Sequence, residues 1–145
     1  MSNEAGKVFL YDLVRTLNKK YNYERELRNR INQTSKLIIE YFDIVQENLK
    51  NICEISDGDI KIELNESNDI IARIKIFSDE LIFKREKNMI DVLVKGTAIN
   101  SDSKDVRITY IDCQPDEVNI NFKVMDDILK QAFKDVIENI KKELK

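Results

Sequence analysis

The chain reads as one α+β domain spanning residues 1–145. Two N-terminal helices precede a five- to six-stranded antiparallel meander sheet, and a long C-terminal helix packs on the sheet. Three observations predict this. Apolar residues recur at helical spacing up to about residue 53, alternate at strand spacing from about 59 to 123, and return to helical spacing from 124 onward. The links between the alternating segments are short, whereas a parallel pair needs a crossover of about a dozen residues or more. A chain of 145 residues also suffices for a core without covalent staples, burying roughly two thirds of its unfolded surface.

The first helix is predicted over 4–20. Val8, Phe9, Leu10, Leu13, Val14 and Leu17 make a wide apolar stripe. Ser2 or Asn3 is placed to cap it, and Glu4 suits the positive end of its dipole. The Asn22 region predicts a break or bend, with Asn22 capping a second helix over 23–53. There Leu27, Ile31, Thr34, Ile38, Tyr41, Val45, Asn48 and Ile52 keep a 4-3 rhythm, broadened by Leu37, Ile39 and Ile44. A helix apolar on more than one side is sandwiched between other elements or lies at a subunit interface.

Ser56-Asp57-Gly58-Asp59 is a turn signal, and strand spacing follows it. Ile60, Ile62 and Leu64 alternate with Lys61 and Glu63. After a turn at 65–69, Ile70, Ala72, Ile74 and Ile76 alternate with Ile71, Arg73 and Lys75. Leu81 and Phe83 then alternate with Ile82 and Lys84, and Ile90, Val92 and Val94 with Asp91, Leu93 and Lys95. A polar loop is expected over 96–105. Beyond it Val106, Ile108 and Tyr110 alternate with Arg107, Thr109 and Ile111, and Val118, Ile120 and Phe122 with Asn119 and Asn121. One uniformly apolar face marks a half-buried antiparallel sheet. The last helix, over 125–144, carries Met125, Ile128, Leu129, Ala132, Phe133, Val136, Ile137, Ile140 and Leu144 on one stripe. Asp126 and Asp127 lie in its first turn and lysines in its last, matching its dipole.

This order of elements resembles a helix-grip (START-like) layout without its first strand. An alternative function that suits such a layout is a small-ligand binder, with a pocket between the sheet and the C-terminal helix lined by residues such as Phe83, Tyr110, Phe122 and Phe133.

Composition removes several function classes. Without histidine the usual general base near neutral pH is missing. No nucleophile elbow, Cys–His pair or phosphate loop is present, so no catalytic residue is assigned and the chain is read as not an enzyme. Asp57-Gly58-Asp59 lacks the further ligands of a calcium loop, and Ser101-Asp102-Ser103-Lys104-Asp105 offers only two carboxylates. No metal and no cofactor are therefore expected. Cys53 and Cys113 lie far apart and are expected to be reduced and packed. The start Met1-Ser2-Asn3-Glu4 shows no basic stretch followed by an apolar run, and no segment reaches the length of a membrane span, so a cytoplasmic location without membrane contact is expected. Abundant Ile, Lys and Asn beside scarce Gly and Pro point to an AT-rich bacterial or phage genome.

Two surfaces stand out. If Ile60, Ile74, Ile90 and Ile108 face the core, the opposite sheet face carries Lys61, Arg73, Lys75, Lys84, Lys95 and Arg107, with Glu63 and Asp91 among them. Such a face suits a small anionic, phosphate-bearing ligand, or cross-strand ion pairs in solvent. Ile71, Phe77, Ile82, Leu93 and Ile111 fall on the same face, more apolar side chains than a wet face needs, and are read as an interface. At the junction of the two N-terminal helices seven cations, from Arg15 to Lys36, outnumber Glu24 and Glu26, with Tyr21 and Tyr23 interleaved. Glu24–Arg28 and Glu26–Arg30 are i,i+4 pairs of a solvated helix. The net charge of −3 and the absence of a recognition motif argue against nucleic acid. The expectation is a non-enzymatic interaction or regulatory module that binds another protein and forms a homodimer, in the manner of an inhibitor or immunity factor from a phage or mobile element.

Overall fold

The computed structural model describes residues 2–96, 106–113 and 120–145, with side chains from residue 8 onward. Helix α1 (Ser2–Ser56) leads into strands β1 (Ile60–Leu64), β2 (Ile70–Ile76), β3 (Asp79–Arg85), β4 (Met89–Lys95) and β5 (Val106–Asp112), and helix α2 (Phe122–Glu143) closes the chain. The strands form one antiparallel sheet in the order β1-β2-β3-β4-β5. The fold is α+β, as its rhythm predicts. Of the polar loop expected over 96–105, residues 97–105 lie outside the described residues, as do residues 114–119.

One expectation about the elements is corrected. The N-terminal helices are one helix of 55 residues, about 80 Å long at 1.5 Å per residue. Asn22 does not break it, because Asn costs a helix interior well under 1 kcal/mol and its amide donates to Glu26 Oε1 at 3.3 Å one turn on. Between Gly6 and Gly58 the chain contains neither Gly nor Pro, the residues that stop helices. α1 ends where Asp57 (φ 53°) and Gly58 (φ 97°) turn left-handed. Ser56 Oγ there donates to the Cys53 carbonyl and accepts from the Ile60 amide. Five strands form, within the five to six expected, and of the segment read as a sixth, residues 118 and 119 lie outside the described residues. Ile120 and Asn121 are irregular, and Phe122 already belongs to α2. Extended Asn121 caps that helix, its side-chain oxygen accepting from the Val124 amide at 2.9 Å.

Both helices lie on one sheet face. Ile38 and Phe42 of α1 and Met125, Ile128 and Phe133 of α2 share a core with Ile74, Leu81, Phe83, Val92 and Val94. Phe42 meets Phe83 edge to face at 5.4 Å and Tyr41 likewise at 5.4 Å. Thr34 and Ser35 are buried in this seam without penalty, since their hydroxyls donate to the Arg30 and Ile31 carbonyls at 2.8 and 2.7 Å.

Two β-bulges correct the assignment of faces. In β2 the register slips between Ile70 and Ala72. Ile70 then lies opposite Lys84 and Ile71 joins the core, fully buried. In β5 Thr109 pairs with Val92 but Arg107 with Leu93, so Ile108 is the inserted residue. Beyond it Ile111, opposite Ile90, enters the core, while Tyr110, opposite Asp91, points outward. One extra residue flips every following side chain to the other face. Ile71 and Ile111 therefore do not lie on the outer face where strict alternation puts them.

Candidate interaction surfaces

The clearest surface is the first half of α1. Among the described side chains of the helix Leu27 is the first that is buried, and burial continues through Ile31, Ile38, Tyr41 and Phe42. Before it, Phe9 (67%), Leu10 (52%), Leu13 (42%), Val14 (49%), Leu17 (46%) and Tyr21 (47%) are all exposed. This half projects about 38 Å at 1.5 Å per residue. A helix this amphipathic buries its stripe wherever it has a neighbour, and contiguous exposed apolar surface of this kind marks an interaction site. The signal that one helix carries one seam was present in the sequence. Leu10, Val14, Leu17, Tyr21, Glu24, Arg28, Ile31, Ser35, Ile38, Phe42, Val45, Leu49 and Ile52 alternate by four and three without a slip. The polar side of the projecting half holds itself together locally, with Arg15 Nη2 3.3 Å from Asp12 Oδ1 and the Lys20 ammonium 5.5 Å from the Tyr21 ring.

The second surface is the outer sheet face. The register gathers all six predicted cations there: Lys61 opposite Lys75, Lys75 opposite Glu80, Glu80 opposite Lys95, Arg73 opposite Glu63, Lys84 opposite Asp91, and Arg107 opposite Leu93. Carboxylates answer them. Arg73 lies 2.9 Å from Glu66 and 3.6 Å from Glu80, and Lys84 lies 3.7 Å from Glu86. Buried Asp91 accepts no aligned hydrogen bond at Oδ1, but Arg107 Nη2 stands 2.7 Å from that oxygen, so its partner is a charge. Arg107 also lies over the Tyr110 ring. Lys75 donates to the Gly58 carbonyl at 3.3 Å. Among the described residues only Lys61 and Lys95 of the six have neither an ion pair nor a side-chain hydrogen bond. A hollow of about 220 Å³ between Lys61, Glu63, Glu66, Arg73, Lys75 and Glu80 is therefore charge-balanced, three against three. Of the apolar residues assigned to this face, Ile82 is buried between Arg73 and Leu93, Leu93 is half-buried, and Phe77 is exposed in the Phe77–Ser78 turn with φ 55°.

The third surface is a groove of about 540 Å³ between the second half of α1, β2 and α2, floored by Val45, Leu49, Ile74, Leu129, Phe133 and Ile137. The residues expected to line a common pocket are dispersed. Phe83 is fully buried against Phe42, Tyr110 is on the opposite sheet face, and Phe122 packs edge-on to Tyr41 at 5.5 Å. Phe133 alone of the four reaches the groove. At its end the Tyr41 hydroxyl donates to Asp126 Oδ1, tying α1 to α2. Burial, then the bond to Asp126 and its charge, push this phenol well above the usual tyrosine range. Cys53 and Cys113 are free thiols, and burial raises the pKa of Cys113.

No family model, curated protein or solved structure matches this chain. Among the described residues no helix is long and apolar enough to cross a membrane.

Proposed function

We propose that the chain is a non-enzymatic protein-interaction module whose recognition element is the projecting half of α1. One observation carries this reading: the stripe that is buried from Leu27 onward continues uncovered from Tyr21 back to Phe9. The body acts as the mount that fixes this helix in space, so little backbone entropy is left to lose on docking. A regulatory role of inhibitor or immunity type in a bacterial or phage cytoplasm is consistent with this design, which presents a binding face on a rigid mount. The test is to measure association of the full chain with proteins of its own host, comparing the natural sequence with a Leu13→Glu/Leu17→Glu variant. Partners retained by the natural chain and lost by the variant support the reading. Equal retention by both sinks it.

A second reading rests on the groove floored by Leu129, Phe133 and Ile137, whose rim carries Lys130, Lys134 and Lys141 against Asp126 and Glu138, one positive charge in excess. It suits an amphipathic small ligand with a negative head group. Fluorescence of an anionic apolar dye should rise on binding the natural chain and fail to rise with Leu129→Arg.

A further inference from the structure

We propose that the occupant of the exposed stripe is a second copy of this chain, paired antiparallel along the projecting halves of α1. This rests on the interaction reading above and names its partner. Three observations select a second copy and its direction. First, Leu10, Val14, Leu17 and Tyr21 follow the 4-3 spacing of a helix–helix seam, in step with the part of α1 that is buried against the body. Second, between Leu10 and Tyr21 the charges avoid that seam. Asp12, Arg15 and Lys19 fall on outward heptad positions, so a self-pair meets no like-charge contact along its apolar stretch. Third, the seam is interrupted at Glu24 and Arg28, just before the body begins at Leu27 and Ile31. A parallel pair would set Glu24 against Glu24 and Arg28 against Arg28, and would crowd both bodies at one end.

The antiparallel arrangement removes each conflict. With the two-fold axis between residues 15 and 16, Leu10 of one copy lies opposite Tyr21 of the other, and Val14 opposite Leu17. Leu27, where each body starts, is then level with residue 4 of the other copy. Two heptads make a small interface, so the dimer belongs in the micromolar range, on the order of 10 µM.

The test uses the full chain. Light scattering over a concentration series to about 200 µM should show a rise to twice the chain mass, and Val14→Glu/Leu17→Glu should weaken association by at least about tenfold while the melting of the body is unchanged. Spin labels at Asn32→Cys, on a Cys53→Ser background, should stand about 50 Å apart along the axis in the antiparallel pair. A separation under about 25 Å, or a dimer that survives the double substitution, overturns the proposal. So does a strict monomer, and hydrogen exchange on that monomer separates the two readings. Fast exchange over residues 8–26 leaves the stripe open to a different protein and the interaction reading standing; slow exchange means that the chain covers the stripe itself, and both readings fall.

Discussion

From Leu27 to Leu49, α1 lies against the sheet and α2; from Val8 to Tyr21, its apolar side chains are all exposed. The two halves have similar amphipathic spacing and belong to one uninterrupted helix. They differ in what holds them. Each large side chain buried in the second half contributes roughly 1.5–3 kcal/mol relative to leaving it in water, whereas the first half has only its propensity, its local ion pair and its continuity with a helix already nucleated. Amphipathicity therefore does not report burial. It reports a capacity for burial, which the body uses up in one half and leaves available in the other.

The largest expected break in this comparison is a pair of truncations. Phe42→Ala, at the centre of the core, should cost about 3–5 kcal/mol in urea unfolding, while Leu13→Ala should cost under about 0.5 kcal/mol in dilute, monomeric protein. Comparable losses would mean that the first half is packed against the body. Hydrogen exchange gives the same contrast residue by residue: amides of 31–49 should be protected to the level of global unfolding, and those of 8–23 should open locally at far lower cost.

A smaller effect tests the tie between the helices. Tyr41→Phe leaves Asp126 without its donor and should cost about 1–2 kcal/mol. Because the folded Tyr41 phenol titrates above its ordinary value of 10.0, its contribution is fully present below about pH 10 and is lost as pH rises from there toward the folded value. Stability of the natural chain should fall across that interval more steeply than that of the Phe variant. Phe77, a bulky residue held at φ 55° in a two-residue turn, sets a still smaller scale. Phe77→Gly should gain up to about 1 kcal/mol, since glycine carries no penalty there. The smallest shift is expected at Asp79, whose carboxyl is raised first by burial and then by the charge of Asp135. A raised carboxyl favours folding below its unfolded pKa and costs stability once ionised, so Asp79→Asn should stabilise slightly at neutral pH, by less than about 1 kcal/mol. Neither of these two substitutions should alter exchange over 8–23. If one does, the halves are coupled.

Much of the fold was legible in the residues. Strand positions, antiparallel order and the C-terminal helix follow from alternation and short turns, which are local. The helix break at Asn22 was misread because a single polar residue looks like punctuation, yet without Gly or Pro nearby nothing halts the backbone. Ile71, Ile111 and Tyr110 were placed on the wrong faces because a bulge depends on the neighbouring strand, and period-2 spacing cannot show it. The six cations share the outer face, but their neutralisation by Glu66, Glu80, Glu86 and Asp91 depends on register.

By itself the sequence determined which segments are helix or strand and where each apolar stripe runs, because both follow from torsional preference and periodicity within a few turns of chain. Only the tertiary structure decided which part of each stripe is satisfied. Burial is a relation between distant segments, and the body covers α1 only from Leu27 to Leu49. That boundary turns the first half of an ordinary amphipathic helix into the most exposed apolar surface described in the molecule.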